Sequence, residues 1–516
     1  MLTVTVFYWA ASGLDVTGSI LILNFCTLGS SDSPSLDADF RHSFSVIIIG
    51  AGTSGLSAAT TLAEGGVKDF IILEGRDRVG GRIQQDLRFG CGIDLGASWI
   101  HGVEGNPVLA VAERLGLRLD ITHNANLTGS DAFKIYGPDG HKLEPNMEAS
   151  ARAKFDEMNT LARQLLDSMT NEKDVSVAQL FQLATEKMKP KYTEDEKDFV
   201  NWLKSGIEGW ENSNLDQISA RDHIDEEDGT AYGGGDAFVI DGYHHIINHL
   251  ASKIEGHIQT DTEALSIVYN DNGVTVTTNR GDFHADYCII TVPLGVLKAN
   301  AIQFVPPLPK EKQRAIENIG FGLMNKIVLQ FDEVFWEAPA EGFGYVSNIH
   351  GEFSFFLNLC PLLNKPILMC FIAADFAHEV ENWRDEAVIE RIMVVLRSIF
   401  GREKEIPLPT VYRITRWKAD RFSRGSYSFI KAGCTTKDVR SLGKPVGRLH
   451  FSGEATFKRV GYVHGAYITG QREAQKIMAD MGSDDLTNLT FCLNFCLCDA
   501  LGIELRQLQR GSAWYY

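Results

Sequence analysis

The sequence predicts an α/β (α+β) fold, and three observations carry that expectation. Two short β-branched runs, Val46-Ile47-Ile48-Ile49 and Phe70-Ile71-Ile72-Leu73, flank a glycine-rich turn and a helical stretch, as buried parallel strands do. Between residues 150 and 202, Phe155, Met158, Leu161, Leu165 and Met169 recur at three and four, the spacing of one helix face. Residues 258–292 read as a β-meander: Val274, Val276 and Thr278 alternate behind the turn Asn270-Asp271-Asn272-Gly273. The 516 residues are 44% hydrophobic and 22% charged, which is globular composition. At roughly 100–200 residues per domain the length suits two to four domains.

Taken in chain order, residues 1–42 form an apolar segment and a linker. The run Ser19-Ile20-Leu21-Ile22-Leu23-Asn24-Phe25 is similar to the apolar part of a signal peptide, but no Lys or Arg precedes it. Location is therefore cytoplasmic by default, with secretion left open. Ser30-Ser31-Asp32-Ser33-Pro34 reads as a flexible linker. The first strand then runs into Gly50-Ala51-Gly52-Thr53-Ser54-Gly55, which fits GxGxxG. A helical stretch with Leu56, Ala59, Leu62 and Ala63 follows, and the second strand ends in Glu74, 19 residues past Gly55. That is the full context of a Rossmann-like dinucleotide site. Gly50 allows the tight turn, Gly52 lets a pyrophosphate approach the backbone, and Gly55 lets helix and strand pack closely. The helix N-terminus favours the phosphate charge. Glu74 is placed to accept hydrogen bonds from ribose hydroxyls and to repel a 2′-phosphate. The fingerprint alone does not separate NAD from FAD.

The next segments do. Gly80-Gly81-Arg82 follows Glu74, and Asp94-Leu95-Gly96-Ala97-Ser98-Trp99-Ile100-His101-Gly102 follows that. With Thr291-Val292-Pro293-Leu294-Gly295-Val296-Leu297, Gly322-Leu323-Met324-Asn325-Lys326, Phe451-Ser452-Gly453-Glu454 and Gly461-Tyr462-Val463-His464-Gly465-Ala466-Tyr467, the chain resembles the flavin amine oxidase family over about residues 43–482. The resemblance implies FAD. It implies that Arg82 contacts the pyrophosphate, that Gly96, Ala97, Ser98 and Trp99 lie against the flavin, and that Glu454 holds the ribityl chain. The backbone at Val463 would meet the flavin ring, and that at Ala264 the adenine. A helix starting near Gly465 would point its positive end at the flavin.

Within that family, Tyr427 and Tyr462 match the two positions of an aromatic cage. Oxidising a C–N bond needs the substrate nitrogen neutral, whereas a free alkylamine has a pKa of about 10. Aromatic faces hold such a group in either form. The monoamine oxidases carry a flavin-linking cysteine just before the first cage tyrosine. Here that residue is Ser426 and Cys434 is off register, so the resemblance implies a noncovalent flavin. Trp99-Ile100-His101-Gly102 is similar to the polyamine oxidases, where the histidine lines the substrate tunnel. A histidine with a pKa of about 6.5 suits hydrogen bonding or deprotonation of an amine. Glu208 matches a carboxylate facing a distal ammonium. Lys326 matches a lysine that holds a water near flavin N5, and its neighbours Ile327, Val328 and Leu329 point to an interior position.

The leading expectation is thus a polyamine oxidase of the spermine or N1-acetylpolyamine type, with a polyamine and O2 as its small-molecule partners. A histone lysine demethylase-like enzyme and an L-amino-acid oxidase are the enzyme alternatives. The first departs from this chain in its coiled-coil insertion, the second in its need for a buried Arg. A non-catalytic flavin-binding regulatory protein is the alternative of another class. Lys+Arg number 49 and Asp+Glu 67, a net charge of −18, which disfavours nucleic acid and favours cations. The acidic run Asp225-Glu226-Glu227-Asp228 is either a steering patch or a solvated loop.

Nine cysteines without a CxxC pair indicate neither a disulfide framework nor a metal site. No apolar run reaches about 18 residues, so no spanning helix is expected. Asn126-Leu127-Thr128 and Asn488-Leu489-Thr490 are glycosylation sequons, and the cysteine-containing tail 483–516 has no assigned role. The expected architecture is a discontinuous FAD-binding domain (43–125, 236–298 and 441–482) interleaved with a mixed-sheet plus helices substrate-binding domain (126–235 and 299–440).

Overall fold

The computed structural model describes residues 43–122, 133–169, 174–227, 232–337, 340–401 and 404–482. The N-terminal segment, the tail, both sequons and Asp228 lie outside them, and the side chains of residues 225–227 are likewise not described.

The strand Ser43–Ile49 lies in the middle of an eight-stranded sheet, parallel to Phe70–Leu73 on one side and Gly281–Ile290 on the other. Val46, Ile47 and Ile48 are wholly buried, because helices cover both faces of a parallel sheet and leave no wet side. Ile258–Gln259 extends the sheet beyond Phe70–Leu73, and Leu449–Phe451 joins the far half of Gly281–Ile290, both in parallel. The antiparallel meander Ala264–Asn270, Gly273–Thr278 and Gly281–Ile290 occupies the other end, as the alternation predicts. One further strand, Gln303–Val305, pairs parallel with Ala264–Asn270, so this sheet takes a strand from the stretch after residue 298.

Two of the helices packed on this sheet border the site. Thr53–Glu64 follows the glycine turn, and Val463–Asp480 crosses it so closely that a Cβ on Gly470 would sit 2.2 Å from the Ser54 carbonyl oxygen. The second begins at Val463, two residues before the expected Gly465. Gly461, at φ +91°, turns the chain, and Tyr462 is the extended N-cap residue.

A six-stranded sheet runs in the order Val411–Ile414, Met324–Gln330, Ile367–Ala373, Phe355–Asn358, Gly342–Tyr345, Phe133–Tyr136. All its neighbours are antiparallel except the last pair. The helix Asp385–Phe400 buries Val388, Ile392, Met393 and Leu396 in a core shared with Ile327, Leu329 and Cys370 of that sheet. Helices Pro145–Ser168, Val177–Met188 and Glu194–Glu211 fill the region predicted helical, and Phe155 and Met158 are buried as the spacing requires. A small three-stranded sheet, Trp99–Ile100, Asp236–Val239 and Leu119–Thr122, brings the segment after Trp99 beside residue 236. No helix among the described residues is long and apolar enough to cross a membrane.

Candidate active site

A cavity of about 1480 Å³ runs from the glycine turn to the helices of the 145–211 region. At its first end, Gly50 has φ +102° and Gly55 lies so near it that a Cβ on Gly55 would stand 1.9 Å from the Gly50 carbonyl oxygen. Folding therefore demands both of these glycines. Gly52 is different. Its φ is −79°, and an added Cβ would meet nothing within 4 Å. No protein atom requires glycine there; the space it leaves opens on the cavity at the N-terminus of Thr53–Glu64, where a pyrophosphate would lie. Glu74 is buried beside it, accepting from Ala51 N at 2.7 Å and Arg76 N at 2.8 Å. Burial raises its pKa, against the opposing pull of those N–H groups and of Arg76 and Arg78. Ala264 and Thr262 line the same end. An open glycine beside a helix start and a carboxylate at the strand end fits the adenosine and pyrophosphate of FAD.

Arg82 and Glu454 line the next stretch and face each other. The Arg82 guanidinium donates to Glu454 Oε1 at 3.0 Å and to the Ser426 carbonyl at 2.7 Å. Glu454 also accepts from Ser428 Oγ at 3.0 Å and Gly461 N at 2.7 Å. Its carboxylate therefore fixes three chain segments before any ligand is considered. Gly96 packs under Arg82, where a Cβ would lie 1.6 Å from the Arg82 carbonyl oxygen. Ala97, Ser98 and Trp99 continue the wall, and Val463 closes it at the helix start. Ser426 Oγ donates to the Met324 carbonyl at 2.7 Å and accepts from Met324 N at 2.8 Å. Cys434 is buried away from the cavity lining.

Lys326, on the strand Met324–Gln330, is buried as its apolar neighbours predict. Its ammonium donates to the Asp94 and Gly96 carbonyls at 2.9 and 2.6 Å and to Ser98 Oγ at 2.6 Å. All three N–H bonds thus have protein acceptors. Burial pulls the ammonium pKa down, while the Asp94 charge holds it up. Burial pushes the Asp94 carboxyl up in turn, against the Tyr243 N–H and Lys326. A water could reach the Lys326 ammonium only by displacing one of these three acceptors.

The aromatic end holds four rings. His101 meets Tyr462 edge-on at 5.4 Å between centroids and Trp210 at 5.3 Å. The Tyr427 hydroxyl donates to the Trp210 carbonyl at 2.8 Å, and its ring edge lies against Gly461. All four residues line the cavity, so the two expected cage tyrosines and the expected histidine are brought together. Trp210, with 43% of its surface exposed, is a further wall to which the sequence analysis assigns no role.

Glu208 lies on the cavity wall but is not a free carboxylate. It is 8% exposed, accepts from Leu215 N at 3.1 Å and pairs with His350 Nε2. The Glu208 hydrogen bond raises the His350 pKa, and burial lowers that of nearby Lys204. Sequence reasoning had no means to find His350, 142 residues away, nor Asp236, whose carboxylate reaches His101 Nδ1 at 3.1 Å.

Comparison with known proteins identifies the family. The sequence matches the family described as flavin containing amine oxidoreductase over residues 53–478. It is 35% identical over 470 residues to Polyamine oxidase 4 of Oryza sativa subsp. japonica, covering 88% of this chain and 94% of that one. It is 33% identical over 448 residues to Lysine-specific histone demethylase 1 homolog 1 of Arabidopsis thaliana, covering 84% of this chain and 52% of that one. Among solved structures, wild-type putrescine oxidase bound to putrescine superimposes with a TM-score of 0.65 at 22% identity, over 85% of this chain and 99% of that one, a likeness of fold. The chain belongs to the flavin-containing amine oxidoreductases: it is an FAD-dependent amine oxidase acting on CH–NH bonds.

Proposed function

We propose that the substrate is a polyamine, oxidised at the carbon beside a secondary nitrogen. The observation that carries this reading is the slot between Tyr462, His101, Trp210 and Tyr427, with Glu208 lining the same cavity. Rings offer π-faces to an ammonium at the reacting nitrogen. The carboxylate offers a partner to a second ammonium along the same flexible chain. The chain's net charge of −18 favours approach of such a polycation.

Bound FAD supplies the hydride acceptor, and O2 takes the electrons away as H2O2. The protein's own residues bind and orient the amine. His101 takes the proton that the nitrogen must lose, and Lys326 holds a water for hydrolysis of the imine to an amine and an aminoaldehyde. Ser426 puts a hydroxyl where a flavin-linking cysteine would stand, which leaves the flavin noncovalent; that hydroxyl is engaged by the Met324 backbone. Among the described residues no helix exceeds 24 residues, so no long coiled-coil arm favours the demethylase reading.

A peroxide-coupled assay over spermine, spermidine, their N-acetylated forms and a methyl-lysine peptide tests the reading. Turnover of at least one polyamine above the peptide is expected; a yellow, folded protein inert to every polyamine rejects it. Glu208→Gln is expected to raise the KM for spermine about tenfold, the worth of about 1.4 kcal/mol, with little change in kcat. The effect should vanish when the distal amine is acetylated. An equal loss on both substrates would reduce Glu208 to its contacts with Leu215 and His350.

A further inference from the structure

The small three-stranded sheet has a consequence for His101. Its register pairs Ile100 with Ala237, which sets residue 101 opposite residue 236. Asp236, 7% exposed, then uses both carboxylate oxygens on the adjoining segment: Oδ2 on His101 Nδ1 at 3.1 Å and Oδ1 on Gly102 N at 2.9 Å. Asn106 secures the same turn, its side-chain amide donating to the His101 and Gly102 carbonyls at 3.0 Å each. We propose that Asp236 is the positioning residue that fixes His101 as the proton acceptor of the substrate slot. This rests on the reading of His101 given above and goes beyond it, to the group that gives the imidazole its orientation and tautomer.

The chemistry is that of a carboxylate behind an imidazole. A carboxylate only accepts, so the hydrogen bond keeps a proton on Nδ1 and makes Nε2 the ring atom with the lone pair. In the transfer, an N–H bond of the bound ammonium breaks and an Nε2–H bond forms. The amine keeps the electron pair, and Asp236 offsets the new imidazolium charge. The Asp236 carboxyl already shows the pairing: burial raises its pKa, but the His101 and Gly102 contacts outweigh that and leave it below the usual range.

Among the described residues, the other rings against His101 bring no competing carboxylate. Trp210 and Tyr462 present ring edges and faces. His464, stacked on Tyr462 at 5.1 Å, is driven down to about 3 by burial first and by His101 second, so it carries no charge at ordinary pH.

The test uses the full-length holoenzyme and four proteins: the parent, Asp236→Asn, His101→Ala and the double variant. Flavin absorbance verifies that each is folded and loaded. Asp236→Asn is expected to lower kcat/KM for spermine about tenfold to a hundredfold, part of a general-base contribution. It should also move the acid limb of the kcat/KM–pH profile to lower pH, because the imidazolium loses its counter-charge. Added to His101→Ala, it should cost nothing further. A full additional loss in the His101→Ala background, or an unmoved acid limb, overturns the proposal while leaving the role of His101 standing. A His101→Ala enzyme with parental kcat/KM overturns both. Should Asp236→Asn fail to load flavin, Asp236→Glu, which keeps the charge, carries the same comparison: an acid limb restored to the parental position supports the pairing, and its loss in a loaded protein rejects it.

Discussion

A Gly52→Val protein is expected to fold and to come off the column colourless. Gly52 has an ordinary backbone conformation, and a Cβ there would meet no protein atom within 4 Å. Its Cβ would grow into the part of the cavity that fits the pyrophosphate, at the start of the helix Thr53–Glu64. Gly55→Ala is the contrasting change. Its Cβ would stand 1.9 Å from the Gly50 carbonyl oxygen, so helix and strand must part. Overpacking of that kind costs about 1–3 kcal/mol, or more where backbone must move. Bound FAD itself raises apparent stability by mass action, so thermal unfolding is compared with the FAD-stripped parent. Against that reference Gly52→Val should melt near the parent and take up no flavin on soaking, whereas Gly55→Ala should melt lower. A yellow Gly52→Val protein would remove the pyrophosphate from this place.

The second large effect is at Lys326. Lys326→Met leaves the Asp94 and Gly96 carbonyls and Ser98 Oγ without their shared donor. Catalytically it removes the group assigned to hold a water, and turnover should fall by about 10²–10⁴. The stability change carries its own pH signature. Asp94, already raised by burial, loses the charge that lowered it, so its folded-state pKa rises further above the unfolded value near 3.8. A raised carboxyl contributes stability that is complete below the unfolded pKa and is lost as pH climbs through the folded one. The variant should therefore go on losing stability above about pH 7, where Asp94 of the folded parent has already ionised and its own loss has levelled off. Parental kcat in Lys326→Met would leave the residue a scaffold for the 94–98 turn.

The parts of this protein legible in its sequence are those in which cause and effect are local. Gly50, Gly52, Gly55 and Glu74 are read from spacing because a turn, a helix start and a strand end follow one another along the chain. Lys326 is read as interior because Ile327, Val328 and Leu329 surround it on one strand. The aromatic slot is legible through the family resemblance. What stays hidden is pairing over distance. Asp236 reaches His101 because of a β-register, Glu208 meets His350 across 142 residues, and Arg82 and Glu454 come together across 372. Such contacts follow from tertiary packing, and no periodicity announces them. The same reason explains why Glu208 and Glu454, each expected to await a ligand, already serve the protein's own backbone and side chains.

Anaerobic mixing of the purified yellow protein with spermine tests the central claim most directly. The account predicts a saturable, single-turnover bleaching of the visible flavin bands that is slower in Asp236→Asn and absent with a methyl-lysine peptide. A flavin that stays oxidised with spermine, spermidine and their N-acetylated forms alike, or one that the peptide bleaches faster, would contradict it.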